Sequence, residues 1–142
     1  MQIIVTGHGN FASGIESTVK LLVGSIKNVK YVDFTEDMDE ENLMEKFEEV
    51  IKLNEHIVFF CDLLGGTPYK QAAILSTKSK KDISVICGCN VGSLLENGLT
   101  GLDKFSDSTE LAQALIESTK QGIRQFGVAN HSTATEKLSD GI

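Results

Sequence analysis

The chain has no tryptophan, a single proline and three cysteines, and no apolar run approaches the ~20 residues that a membrane span requires. One proline excludes a proline-rich linker, and no internal repeat or low-complexity segment interrupts the chain. The cysteines (Cys61, Cys87, Cys89) are odd in number and lie inside or at the end of apolar runs. That excludes a disulfide framework and reads as reduced, mostly buried thiols in a cytoplasmic protein. Basic residues are outnumbered, 13 Lys and Arg against 20 Asp and Glu, for a net charge of −7. This excess disfavours any partner held by neutralising a phosphate backbone, so nucleic acid is not an expected target. Met1-Gln2-Ile3-Ile4 runs straight into an apolar strand without a basic leader, and no signal peptide is expected. With 142 residues, 41% of them hydrophobic, one domain can bury a core without metal or disulfide staples.

What is present alternates between short β-branched runs and amphipathic stretches. Residues 2–6 read as a buried strand ended by Gly7, and residues 11–23 as a helix with Ile15, Val19, Leu22 and Val23 at helical spacing and Gly24 as its stop. A strand is expected over 29–34 and a helix over 39–53, with Leu43, Met44, Phe47, Val50 and Ile51 on one face. Residues 56–61, the most continuously apolar run, suit a central parallel strand covered on both faces. A helix follows over 69–77, with Thr67 as its N-cap and Pro68 at its first position. A strand over 82–88, a short helix over 91–97 and a helix over 108–121 complete the body, and residues 122–129 are expected as a last short strand. The pattern predicts an α/β fold, a doubly wound, mainly parallel sheet of order 2-1-3-4 with helices on both faces. Residues 1–129 form the expected domain, and 130–142 a polar, poorly ordered tail.

In such a sheet, ligands bind beyond the carboxyl ends of the strands where the order reverses, between the first and third strands. Thr6-Gly7-His8-Gly9-Asn10 follows the first, and Asp62-Leu63-Leu64-Gly65-Gly66-Thr67-Pro68 the third. Gly7 and Gly9 let another molecule approach His8 closely. Asp62 can accept from Nδ1–H and leave Nε2, the tele nitrogen, as the nucleophile. Gly65, Gly66 and Thr67 open a helix whose free amides favour an anion. The constellation describes a histidine that accepts a phosphoryl group and stabilises it.

Other readings use the same residues. Gly7-His8-Gly9 with Ala12 and an acidic residue, Asp33, at the end of the second strand partly matches a dinucleotide fingerprint, but a histidine between the glycines obstructs a pyrophosphate. Asp62 and the glycines also suit a plain cap and turn. Cys87-Gly88-Cys89 with His8 could be drawn as a metal site, but it lacks a second cysteine pair, so buried thiols are expected and no metal or cofactor is assigned. Ser13 with His8 and Asp62 suggests a triad, yet no G-x-S-x-G elbow exists. His56 and His131 read as structural or solvated, and the acidic run over 36–49 as the wet face of a helix, with selection of a basic partner as its second reading. A flavodoxin-like module that binds a nucleotide or anion without chemistry is the main rival, and a small hydrolase with His8 as base lacks a nucleophile.

Thr6-Gly7-His8-Gly9, Phe11-Ala12-Ser13-Gly14 and Asp62-Leu63-Leu64-Gly65-Gly66-Thr67-Pro68-Tyr69 together resemble the EIIA component of the mannose-family sugar phosphotransferase system over residues 1–128. Both loops and the ending Asp140-Gly141-Ile142 look most like the branch serving N-acetylgalactosamine or galactosamine. The resemblance implies a bacterial cytoplasmic phosphocarrier. His8 would take a phosphoryl group from HPr and pass it to a histidine of EIIB, which phosphorylates the sugar as the EIIC/EIID permease imports it. Asp62 matches the aspartate that orients the histidine, and Thr67 the hydroxyl near the phosphoryl group. The family further implies a homodimer exchanging a C-terminal strand, here residues 122–128, and an EIIB carried on a separate chain.

Overall fold

The computed structural model describes residues 1–128; the expected tail, and the boundary drawn at residue 129, lie outside the described residues. Four parallel strands, β1 (Gln2–His8), β2 (Val29–Phe34), β3 (His56–Cys61) and β4 (Asp82–Ile86), form one sheet in the order β2-β1-β3-β4. This is the expected order. Five α-helices connect and follow the strands: α1 (Phe11–Val23), α2 (Glu40–Val50), α3 (Thr67–Lys78), α4 (Val91–Gly98) and α5 (Ser108–Gln121). A single 3-10 turn at Leu102–Lys104, which no periodicity announced, joins α4 to α5.

The alternation of side chains along each strand sorts the core into two layers. Ile3, Val5, Val58 and Phe60 face Ala12, Val19, Leu94, Leu111 and Leu115 of α1, α4 and α5. Ile4, Ile57, Phe59 and Cys61 face Leu43, Phe47, Ala72 and Leu75 of α2 and α3. The Phe47 and Phe59 rings, both fully buried, meet with centroids 4.7 Å apart. Each such burial is worth about 1.5–3 kcal/mol.

The helix ends follow local chemistry. Asp39 accepts from the Asn42 amide at 2.8 Å while Asn42 Oδ1 accepts from the Asp39 amide at 3.0 Å, a reciprocal cap that starts α2. No basic residue occupies the last turn of α2. Instead Lys81, just before β4, donates its ammonium to the carbonyls of Ile51 (2.6 Å), Lys52 (3.1 Å) and Asn54 (2.8 Å). A cation is thereby placed where the helix dipole favours one.

Five expectations require correction. β4 ends at Ile86 rather than at residue 88, and α2 spans Glu40–Val50 rather than 39–53. β1 runs on to His8 rather than ending at residue 6, because Gly7 and His8 continue the pairing with Asp33 and Phe34 of β2. α3 begins at Thr67 with Gly66 as its N-cap, so Thr67 lies inside the first turn. The expected last strand does not form within the single chain: residues 123–125 are irregular and Phe126-Gly127 make a turn, with Gly127 at φ +77°. No sheet edge pairs with this segment, and Ile123, Phe126 and Val128 remain exposed.

Candidate active site

The carboxyl ends of β1 and β3, adjacent in the sheet, bring His8 and Asp62 together. The Asp62 amide donates to the Thr6 carbonyl at 3.0 Å, extending the ladder one residue beyond β3 and aiming the carboxylate at β1. Its Oδ2 accepts from the His8 main-chain N–H at 2.9 Å and from His8 Nδ1 at 2.7 Å. Its Oδ1 accepts from the Leu63 amide at 2.9 Å. Partial burial works to raise the Asp62 pKa, but the hydrogen bonds from His8, the charge of its ring and the Leu63 amide outweigh it and hold the carboxyl below its ordinary value. An ionised carboxylate only accepts, so Nδ1 carries the proton, and in the uncharged form of the ring the lone pair lies on Nε2. The imidazole is 44% exposed and the carboxylate 11%. The ring is thus open while its hydrogen-bond partner is shielded.

The glycines have separate duties. A Cβ at Gly7 would lie 2.6 Å from the Phe11 ring and 2.8 Å from Asp62 Cβ and Cγ, so only glycine admits the carboxylate to the flank of β1. A Cβ at Gly66 would lie 2.5 Å from His8 Cε1 and 3.2 Å from Nε2. His8 Nε2 therefore sits against the N-cap of α3. Gly9 and Gly65 adopt φ of +59° and +76°, conformations that other residues adopt rarely. Pro68 has no N–H, so Gly66, Thr67 and Tyr69 carry the open amides of the first turn, where the helix dipole favours an anion. No side chain caps this end, and the half-buried Thr67 hydroxyl lies in the turn itself. Leu63 and Leu64 form an apolar lip beside His8, 50% and 72% exposed.

The remaining candidates resolve into scaffold. Asp33 accepts from the Ser13 amide at 2.9 Å, capping α1, whose own N-cap residue Asn10 makes no side-chain cap. Ser13 Oγ donates to the Asn10 carbonyl and does not reach His8. Cys61 is buried and its thiol is pushed up by burial and then by the nearby Asp62; Cys89 is pushed up to about 12, again chiefly by burial. Such thiols resist ionisation. Among the described residues no three His, Cys, Asp or Glu side chains are grouped to hold a metal. His56 opens β3 and pairs with Asp82, a contact across 26 residues that no local motif announces. Phe34, which no motif in the sequence singles out, also lies beside His8. Its ring meets the His8 ring edge to face, with centroids 6.1 Å apart and planes at 71°.

The doubly wound α/β fold thus sets a tautomer-fixed histidine against an open helix N-terminus, an arrangement that suits an anionic group beside one imidazole. The family model described as the PTS system fructose IIA component, EIIA-man, matches residues 2–116, and the chain belongs to this family of sugar phosphotransferase-system EIIA phosphocarriers. The fructose-specific EIIA component of Bacillus subtilis is 25% identical over 146 residues, covering 97% of this chain and 99% of that one. The mannose-specific EIIAB component of Escherichia coli is 29% identical over 125 residues, covering 86% of this chain, which spans only 38% of that relative's length. Among solved structures, EIIA from Streptococcus agalactiae superposes with a TM-score of 0.82 at 31% identity, covering 88% of this chain and 96% of that one. No helix among the described residues is long and apolar enough to cross a membrane.

Proposed function

We propose that His8 Nε2 accepts a phosphoryl group from the phosphohistidine of HPr and delivers it to a histidine of EIIB, in a bacterial cytoplasmic system that imports and phosphorylates a sugar through an EIIC/EIID permease. The observation that carries this reading is the 2.7 Å contact from Nδ1 to Asp62, which leaves Nε2 against the open amides of α3. As the donor's P–N bond breaks and the P–Nε2 bond forms, the ring keeps its Nδ1 proton and becomes cationic. Asp62 balances that charge, while the Gly66, Thr67 and Tyr69 amides and the Thr67 hydroxyl receive the phosphoryl oxygens. Positioning and charge stabilisation suffice for such a transfer, so no cofactor is assigned. Leu63 and Leu64 offer an apolar surface for the carrier proteins to cover. The exposed Ile123, Phe126 and Val128 support a homodimer in which a second copy covers them.

For the sugar, the wording of the two loops supports N-acetylgalactosamine or a similar amino sugar. The relatives that match are named for mannose, fructose and sorbose. Sugar phosphorylation with cognate EIIB and permease, run on all four sugars, decides among them.

The phosphocarrier reading is tested by intact mass after incubation with phosphoenolpyruvate, Enzyme I and HPr. One acid-labile phosphoryl group on the parent and none on His8→Ala is expected. No phosphorylation from competent HPr removes the reading and favours an anion-binding module without chemistry.

A further inference from the structure

The His8 ring is joined to its main chain through Cβ–Cγ and tied to Asp62 through Nδ1, so it can still rock about Cβ–Cγ within the latitude of one hydrogen bond. The Gly66 main chain borders one edge, near Cε1 and Nε2. The remaining freedom is a tilt of the ring plane, which would swing the Nε2 lone pair away from the incoming phosphorus. Phe34 meets the imidazole edge to face, within the centroid range in which aromatic rings attract. His8 and Phe34 are register partners on neighbouring parallel strands, so the two side chains leave the sheet together. The Phe34 carbonyl also accepts from the Gly9 amide at 2.7 Å, pinning the main chain just after the nucleophile. One residue earlier, Asp33 ties the start of α1 to the same end of β2. The carboxyl end of β2 therefore braces the His8 loop from the side opposite Asp62.

We infer that Phe34 is a positioning residue for His8, its ring fixing the plane in which Nε2 presents its lone pair; the inference rests on the phosphocarrier reading of His8. In-line transfer depends steeply on that direction, and a displacement of about 1 Å can cost about a hundredfold in rate. A tilt that weakens the Nδ1 bond to Asp62, so that the other tautomer is also populated, should cost about tenfold. Phe34 does not touch the phosphoryl group and is not a catalytic residue.

The test compares the parent with Phe34→Leu and Phe34→Met, which keep apolar bulk against the core without the aromatic face. Two readouts are taken on folded protein: single-turnover transfer from phospho-HPr over a range of HPr concentrations, and the 15N shifts of the two His8 ring nitrogens. Positioning predicts a maximal transfer rate about tenfold lower at an unchanged half-saturating HPr concentration, with the two nitrogen shifts drawn together as the tautomers mix. Parent-like rates and shifts overturn it. A change in half-saturation alone also overturns it, by making Phe34 a docking residue, and failure of both variants to fold makes Phe34 a core residue only. The nitrogen shifts need no phosphoryl donor. If they draw together while even the parent takes no phosphoryl group, the phosphocarrier reading fails and the positioning contact stands.

Discussion

Two histidine–aspartate pairs stand at opposite ends of the sheet with nearly the same hydrogen bond. His8 Nδ1 lies 2.7 Å from Asp62 at the carboxyl ends of the strands, and His56 Nδ1 lies 2.8 Å from Asp82 at the amino ends. The two imidazoles are equally open, 44% and 45% exposed. What differs is the surroundings. Around His8 there are glycines and the open amides of α3. Around His56 the amides are taken: Asp82 accepts from the Ser108 N–H at 2.7 Å and hydroxyl at 2.6 Å, and Asp107 caps α5 through the Glu110 amide. Ser84 closes the cluster with a 2.7 Å contact to Ser108. The carboxylate partner alone does not distinguish the two histidines; under the proposed phosphocarrier reading, the free amides beside the other nitrogen of His8 make the difference.

The sharpest way to break this comparison is to delete each imidazole. His8→Ala should abolish phosphorylation by HPr, whereas His56→Ala should leave it at the parent level, both read by intact mass. Phosphorylation lost from the His56 variant while it remains folded would show that the amino-terminal pair takes part. Next in size, Asp62→Ala should slow transfer about a hundredfold by freeing the tautomer, and rapid-quench rates equal to the parent's would remove its orienting role. Asp82→Ala should instead leave transfer intact and cost about 1 kcal/mol of stability in urea unfolding, a modest figure because solvent screens a partly exposed pair.

The pairs should converge in acid. Burial works to raise the pKa of both Asp62 and Asp82, but hydrogen bonds and the histidine charge hold both below 3.8. A carboxylate lowered on folding contributes stability that is complete above its unfolded pKa of about 4 and is lost as pH falls through the lower folded value. Asp62→Asn and Asp82→Asn should therefore each flatten the loss of unfolding free energy below about pH 4. An acid limb as steep as the parent's in both variants would contradict the assignment. The smallest expected effect is Thr67→Ala, a few-fold slower transfer, because the amides of the α3 turn remain; complete loss of transfer would place the hydroxyl above the amides.

The difference between the pairs also explains what was legible in the sequence. His8 and Asp62 stand next to glycines at the ends of strongly apolar runs, so topology alone brings them together. The strands at 2–6, 29–34 and 56–61 were legible as apolar runs, and the first and third are buried almost without a break, as parallel strands covered on both faces are. His56 and Asp82 meet only through the register of β3 with β4, which no local pattern encodes. The same holds for His8 with Phe34: the last two residues of β1 have little strand propensity and extend because β2 is there to pair with them. The N-cap of α3 falls one position before the expected Thr67 because a glycine and a threonine are both acceptable N-caps, and the turn geometry selects Gly66. Residues 122–128 have the apolar members of a strand but pair with neither edge of the sheet, β2 or β4.

Asp62 Oδ2 receives both the ring proton and the main-chain N–H of His8, so side chain and backbone share one acceptor. Any chemistry at the far nitrogen that strengthens the ring's hold on that oxygen must weaken the hold of the amide. The His8 amide is thus a built-in gauge: its proton resonance should move upfield and its exchange with solvent quicken as the ring acquires charge. The loading of the protein would then be read from its backbone, without a label on the group it carries.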